Sequence, residues 1–451
     1  MRSMIGKIKQ ALGNLAQRPN LMAALRNLGW LVFDRVFRLG VSFVVTLWLA
    51  RYLAPELFGV YNYAIAFTAL FSVVATFGLQ SVVVQYLVDK PEQQNSTLAS
   101  AFAIQLVGGV IAFVISVLVA FNLVGSEPSV LVAVLLLSTI NLFRFSDTVR
   151  YYFEFRVQSK RIVVTENLVF ILIVLLRIAM ILLELPLIYF VALLVLEGVL
   201  TTLAFFWLFG IQKLKALRFD SSNFLSMLKV AWLLALSMGA VMLYMRVDQI
   251  MLASLLNQEA VGIYSAAVRI SEIWYVFPAV IVGSVFPRII RELRHDAARA
   301  NRQLDVLLTA FSIVSILVGL LVGGYSTEII VSLFGEDYRE SASVLSIHVW
   351  SSVFVFSGIL GGRWLVAMDM QKVLLVSTLI GVFVNVVMNY LMIPVYGVQG
   401  AAWATLVAQF MSAILVNCFH PVSRQLFWMQ VSALSLFSLR HIARWWRLNS
   451  R

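Results

Sequence analysis

Several arginines stand inside stretches that are otherwise apolar enough to cross a membrane. Arg35 and Arg38 fall in the run at 28–50, and Arg177 in the run at 163–183. Arg246 lies in the run before Leu256, and Arg269 in the run before Phe286. A charge at bilayer depth costs about 2.5–3.5 kcal/mol on insertion scales. A chain that carries several such charges has a use for them. The simplest is to hold an anion in a water-filled cavity between helices, which points to transport of an anionic substrate.

The apolar runs decide the class. The chain has 451 residues, 61% hydrophobic and 12% charged, against roughly 45–50% apolar and about 25% charged in soluble domains. This is the composition of a polytopic membrane protein. Runs near 20 residues suit helices; barrel strands would show about 9–11 residues of alternating pattern. Cys418 is the one cysteine, which excludes an intrachain disulfide and any cysteine-based metal cluster. His295, His348, His420 and His441 show no ligand spacing, so neither a metal nor a cofactor is expected. The net charge of +12 fits cytoplasmic loops that face anionic lipid. No nucleic-acid partner is expected.

Twelve spans are read: 28–50, 60–80, 98–122, 129–147, 163–183, 186–209, 230–255, 262–286, 304–325, 342–367, 373–393 and 400–419. Residues 1–27 combine Lys7, Lys9, Arg18 and Arg26 with Ile5, Ile8, Leu12, Leu15 and Leu21, a cytoplasmic amphipathic segment without a cleavable signal. Loop charge sets the orientation. Arg156, Lys160, Arg161, Lys213, Lys215, Arg288, Arg291 and Lys372 gather on one side; Glu56, Glu127, Glu259, Glu336, Asp337 and Glu340 gather on the other. Both termini are therefore expected inside. Residues 420–451 are read as a basic interfacial tail; 426–439 either crosses or lies on the membrane, and the arginines after it favour the latter.

An internal repeat divides the chain. Leu49, Ala50, Leu53, Glu56, Gly59 and Tyr61 recur as Leu252, Ala253, Leu256, Glu259, Gly262 and Tyr264, all at one offset. Six spans lie between equivalent positions, so the two halves share one orientation. A parallel repeat places the substrate path between 28–209 and 230–419, with 210–229 as linker.

Candidate residues follow from depth and spacing. Asp34 and Arg38, and Arg269 and Glu272, can pair on one helical face. Arg246 and Asp248 are two apart and need partners elsewhere. Glu197 is a further charge in apolar context. Arg144, Asp147, Glu184 and Arg363 stand near span ends, where structural ion pairs or snorkelling are the plain reading. Arg35, Arg38, Arg246 and Arg269 lie deeper and suit a cavity. Arginine binds phosphate with a planar fork and stays charged. Trp30, Tyr244, Trp274, Gln249, Asn385 and Asn389 can meet sugar, although packing or the interface belt is the plainer reading of each. No G-x-x-x-x-G-K-[ST] loop or catalytic cluster is present in the sequence.

These features resemble the polysaccharide-exporter branch of the multidrug/oligosaccharidyl-lipid/polysaccharide flippase superfamily, the O-antigen flippase type. The residues that carry the resemblance are Leu49 to Tyr61, Arg246 to Leu252, Val261 to Ala267, Asn385, Asn389 and Ile393 to Thr405. It implies an all-α membrane protein with about twelve transmembrane helices in two pseudo-symmetric six-helix bundles. It implies translocation of an undecaprenyl-pyrophosphate-linked repeat unit from the cytoplasmic to the periplasmic leaflet of the inner membrane, for O-antigen, capsule or exopolysaccharide synthesis. Arg35, Arg38, Arg246 and Arg269 match by position the arginines thought to bind pyrophosphate. Membrane lipid and the lipid-linked glycan are then the ligands. A polysaccharide polymerase or chain-length machinery is the class of protein partner, left unnamed. H+ or Na+ coupling would use Asp34, Asp248, Glu197 or Glu272. Lipid II flippases and drug or cation antiporters share the fold; the former typically have fourteen spans, and the latter rely on acidic cavity residues. A non-transporting scaffold for polysaccharide assembly is the remaining alternative.

Overall fold

Backbone polar groups in lipid must be satisfied within the segment, so apolar runs of this length fold as helices. The computed structural model describes residues 19–125, 127–293 and 295–435, with side chains from Phe37 onward. Every regular element among them is helical. The first half holds α1 (Pro19–Thr76), α2 (Leu79–Asp89), α3 (Gln94–Val124), α4 (Pro128–Ser138) and α5 (Asp147–Phe155). It continues through α6 (Ser159–Leu182), α7 (Leu187–Phe209) and the short α8 (Ile211–Ala216). The second half opens with α9 (Ser221–Leu255), α10 (Gln258–Glu272), α11 (Val276–Leu293), α12 (Ala297–Gly324) and α13 (Ser326–Phe334). It closes with α14 (Ser341–His348), α15 (Ser351–Ala367), α16 (Gln371–Tyr396), α17 (Val398–Ala413) and α18 (Arg424–Leu434).

Ten helical stretches among the described residues are long and apolar enough to cross a membrane, and the bent pair α14–α15 makes an eleventh. One of the ten, Phe37–Asp89, runs for 53 residues and holds two of the spans read from sequence. The break between them is at Ala54, with φ 57° and ψ 171°, immediately before Pro55. Proline removes a backbone donor and disfavours helical geometry in the residue before it. Counted that way, the observed helices account for all twelve spans.

Contacts group the chain into two compact units. The first takes in described residues up to Thr46 with Val74–Ile115 and Leu136–Ala235; the second takes in Leu47–Val73, Ser116–Leu135 and the chain from Leu236 onward. The core of the first includes Leu79, Val83, Leu98, Phe153 and Phe205, all buried. Stacking of Phe102 on Phe206 and the edge of Tyr152 on Phe209 continue it. A buried polar chain runs through it: Thr148 donates to Gln105 Oε1 (2.6 Å), and Gln105 Nε2 donates to the Tyr151 hydroxyl (3.2 Å).

The second unit has its own core of Phe286, Leu304, Phe311, Phe356, Leu360 and Trp364, to which α18 adds Leu426 and Ala433. Its Gln430 is buried. Gln430 Nε2 donates to the Ala413 carbonyl at the end of α17 (3.0 Å), and Gln430 Oε1 accepts from Asn417 (3.1 Å). Helix ends leave carbonyls without intrahelical partners, and α18 supplies one. The segment placed on the interface from sequence thus begins as a packed helix with Trp428 exposed; the chain beyond 435 lies outside the described residues. Gln430→Leu is expected to cost about 1–3 kcal/mol, read as a thermal midpoint lowered by a few degrees in detergent.

The repeated string is a contact. A Cβ on Gly59 would overlap the Gln258 carbonyl oxygen and stand 2.7 Å from its carbon; a Cβ on Gly262 would overlap the Pro55 carbonyl oxygen and stand 2.8 Å from its carbon. Pro55 and Gln258 are equivalent positions, so the two glycines meet each other's repeat reciprocally. The helix start is built differently in each: Pro55 breaks α1, whereas the Asn257 side chain caps α10 by accepting from the Ala260 amide (2.8 Å). Around this contact the Tyr338 hydroxyl donates to the Ala50 carbonyl (2.8 Å), and its ring meets Phe58 edge-on. Arg51 donates to the Leu333 carbonyl (2.9 Å) and to that of Ser332, at the C-terminal end of α13. A cation there also suits the helix dipole.

Candidate functional site

Two groups of charged side chains occupy the spans, one in each unit. In the first, α6 carries Glu166, Asn167 and Phe170. Residues three or four apart share a helical face, so one side of α6 offers a carboxylate, an amide and a ring together. Arg38 of α1 uses all three. Its Nε donates to Asn167 Oδ1 (3.0 Å), its Nη2 is 3.5 Å from Glu166 Oε2, and its guanidinium lies 5.3 Å from the Phe170 ring centre. The other oxygen of Glu166 accepts from Arg150 of α5. One carboxylate therefore bridges two arginines. Deeper along α6, Arg177 is 8% exposed and its Nε has no hydrogen-bond partner. Glu197 of α7 feels the charges of both Arg177 and Arg38.

In the second unit, Asp248 of α9 is 5% exposed and surrounded by neutral donors. Tyr264 of α10 and Thr405 of α17 donate to its Oδ2 (2.7 and 2.6 Å); Asn389 of α16 donates to its Oδ1 (2.6 Å). Asn389 also donates to Asn385 Oδ1 (3.1 Å), one turn away. The Asn389 Oδ1 atom is buried without a partner. About two turns further along α10, Glu272 feels the charges of Arg246, Arg269 and Asp248. The Nε of Arg246 is buried and makes no hydrogen bond. Beside these helices a cavity of about 340 Å³ is lined by Tyr244, Tyr275, Gly358, Gly361, Ser377 and Ser412.

The residues singled out in the sequence divide accordingly. Arg38 and Glu197 fall together in the first unit, and Arg246, Asp248, Arg269 and Glu272 in the second. Asp34, Arg35 and Trp30 have side chains outside the described residues, as does the expected Asp34–Arg38 pair. Arg144 lies 3.9 Å from Asp147, an ion pair one turn apart. Gln249, Asn385 and Asn389, considered for sugar contacts, are instead buried: Gln249 donates to Ser265 and the two asparagines serve Asp248. Glu166, Asn167, Arg150 and Thr405 had no assigned role. Glu166 carries a sequence signal, a lone carboxylate at the start of an apolar run that also contains Arg177.

A buried carboxylate ringed by hydroxyls and amides, with no basic side chain within ion-pair distance among the described residues, is suited to hold a proton or a small hard cation, which takes oxygen ligands of this kind. Arginines held at depth are suited to an oxyanion.

The family model described as polysaccharide biosynthesis protein matches residues 24–292, and the MatE model matches residues 234–391. The chain is 23% identical over 411 residues to the capsular polysaccharide biosynthesis protein CapF of Staphylococcus aureus, covering 88% of this chain and 99% of that protein. It is 24% identical over 204 residues to the probable low-salt glycan biosynthesis flippase Agl15 of Haloferax volcanii, and that match covers 42% of each chain. Among solved structures, the lipid II flippase MurJ in an inward closed conformation superposes with a TM-score of 0.70 at 16% identity, covering 95% of this chain and 100% of that one. At that identity the likeness is one of fold.

Proposed function

The chain belongs to the polysaccharide biosynthesis protein family, and on that premise we propose that it is a flippase for an undecaprenyl-pyrophosphate-linked oligosaccharide, carrying it from the cytoplasmic to the periplasmic leaflet of the inner membrane with both termini cytoplasmic. The observation that carries this reading is Arg246, a guanidinium inside a span whose buried Nε has no partner. A buried donor left unmade costs about 1–3 kcal/mol, more for a charged group, so such a group is kept for a ligand that is present only part of the time. A pyrophosphate diester is that kind of ligand, and Arg38 and Arg269 are its further anchors, with Arg35 by position.

The mechanism is alternating access, with residues 28–209 rocking against 230–419. The glycine contact lies on the side that loop charge places outside, and it separates when that side opens. The prenyl tail stays in the bilayer while the headgroup meets the arginines. Outward movement of one negative charge is favoured by about 2.3 kcal/mol per 100 mV, inside negative. Asp248 is the coupling site for H+ or Na+; Glu197 and Glu272, each beside arginine, serve to balance charge. A polymerase acting on the flipped repeat unit is the downstream partner.

The test is glycan export in cells lacking the chain, complemented by wild type or by Arg35, Arg38, Arg246 or Arg269 changed to Ala or Lys, with membrane levels checked. Loss of a bidentate contact to phosphate is expected to lower export about tenfold or more in each Ala variant, with lipid-linked repeat units accumulating on the cytoplasmic face. Weak rescue by Lys would identify the planar fork as what matters. Normal export in the deletion strain would overturn the reading.

A further inference from the structure

Glu166 is more than an ordinary counter-ion for Arg38. Its two oxygens are divided between two guanidinium groups, one from α1 and one from α5. Its side chain is largely buried, with Phe170 one turn further along α6 closing over Arg38. The result is a two-arginine oxyanion site already filled by an oxyanion of the protein. Asn167 fixes the orientation of Arg38 through Nε, and the ion pair with Glu166 engages its Nη2. The Nε of Arg150 is buried without a hydrogen bond.

We propose that Glu166 is a built-in competitor that sets the selectivity of the Arg38–Arg150 pair, so that a pyrophosphate headgroup displaces it whereas a singly esterified or free phosphate does not. This rests on the flippase reading, in which Arg38 meets the pyrophosphate. The physical reason is a difference of affinities. Any anion entering the pair must either move the Glu166 carboxylate aside or sit beside it against like-charge repulsion. A pyrophosphate offers more oxygens and more charge than a carboxylate or one phosphate, so it alone gains enough across both forks to make the exchange. Before substrate arrives, the single charge of Glu166 also offsets half of the charge of the two arginines it bridges. After translocation the same carboxylate re-enters and assists release.

The experiment is calorimetric titration of the purified full chain in lipid nanodiscs with inorganic pyrophosphate and, separately, inorganic phosphate. Glu166→Gln removes the competing charge and keeps the shape. It is expected to tighten pyrophosphate about tenfold or more, within the usual range of coupling between two ligands. Inorganic phosphate should tighten by a larger factor, so that discrimination falls. In cells the same variant should show slower export with more substrate retained on the protein. Glu166→Asp keeps the charge but reaches one arginine less well; it should give a smaller tightening and serves if the Gln variant does not fold. In an Arg38→Gln background the Glu166→Gln effect should shrink sharply. Unchanged or weakened pyrophosphate binding in Glu166→Gln, with Arg38→Gln still weakening it, would overturn the inference and leave Glu166 a structural partner. Wild-type binding that is indifferent to Arg38→Gln would instead remove the anchor on which the flippase reading depends.

Discussion

Gly59→Ala and Gly262→Ala are each expected to leave the protein inserted in the membrane and to stop most export. In each case the added methyl group would overlap a backbone carbonyl oxygen of the opposite repeat. Backbone cannot turn away as a side chain can, so the two helices must move apart until ordinary contact of about 3.5–4.0 Å is restored. Packed interfaces tend to have discrete arrangements and deform little between them. Overpacking of this kind costs typically about 1–3 kcal/mol, and at about 1.4 kcal/mol per tenfold the state that brings the repeats together becomes roughly 5- to 150-fold rarer. A transporter that must pass through that state slows accordingly. The double variant is the sharper measurement. Both substitutions break one reciprocal contact, so once the helices have parted the second costs little, and the pair should be no worse than the poorer single variant. The structural readout is a cysteine at Val261, buried beside the contact, in a chain whose Cys418 is replaced by Ser. An impermeant maleimide added outside should label it faster in the glycine variants. Normal export together with unchanged labelling would mean that the contact is no part of the cycle.

That contact shows how far the sequence can be read. The repeat was visible as six identities at one offset, and the spans were visible because lipid forces apolar helices on the chain. Which carbonyl each glycine meets was not visible, because nothing in a string tells that Pro55 and Gln258 face the opposite repeat. The long α1 contains a break at Ala54, before Pro55, that separates two of the spans. Charge spacing had similar reach and limits. It excluded a local partner for Asp248, two residues from Arg246, but its partners stand 16, 141 and 157 residues away. Asn385 and Asn389 can meet sugar on chemistry alone, with packing the plainer reading of each. Four residues apart on α16, they share a face, and packing turned that face toward Asp248. Glu166 was overlooked because a single carboxylate near the start of a span looks like a snorkelling end, and only the arrival of Arg38 and Arg150 from two other helices gives it a role.

Asp248→Asn is expected to uncouple the chain from its driving ion while preserving the fold. The carboxylate accepts three hydrogen bonds from Tyr264, Thr405 and Asn389. An amide of the same shape keeps the Oδ2 acceptor for the two hydroxyls. It sets its NH2 against the Asn389 NH2, which the amide flip of Asn389 relieves by turning the unpartnered Oδ1 inward. Asp248→Ala removes the acceptor that Tyr264, Thr405 and Asn389 share, and a lost buried partner costs about 1–3 kcal/mol, so its loss of function would not separate coupling from stability. The Asn variant does. If Asp248 carries one H+ or Na+ per cycle, a gradient equivalent to 100 mV supplies about 2.3 kcal/mol, which at 1.4 kcal/mol per tenfold is about a 45-fold bias in substrate distribution. In vesicles with an imposed ion gradient, Asp248→Asn should lose that bias and still exchange labelled substrate across the membrane without it. Uptake of 22Na+ or of protons with substrate in wild type, absent in the variant, would identify the ion. A variant that keeps the full bias would place the driving force in the membrane potential acting on the anionic substrate, with Asp248 serving as the polar centre that ties α9, α10, α16 and α17 together.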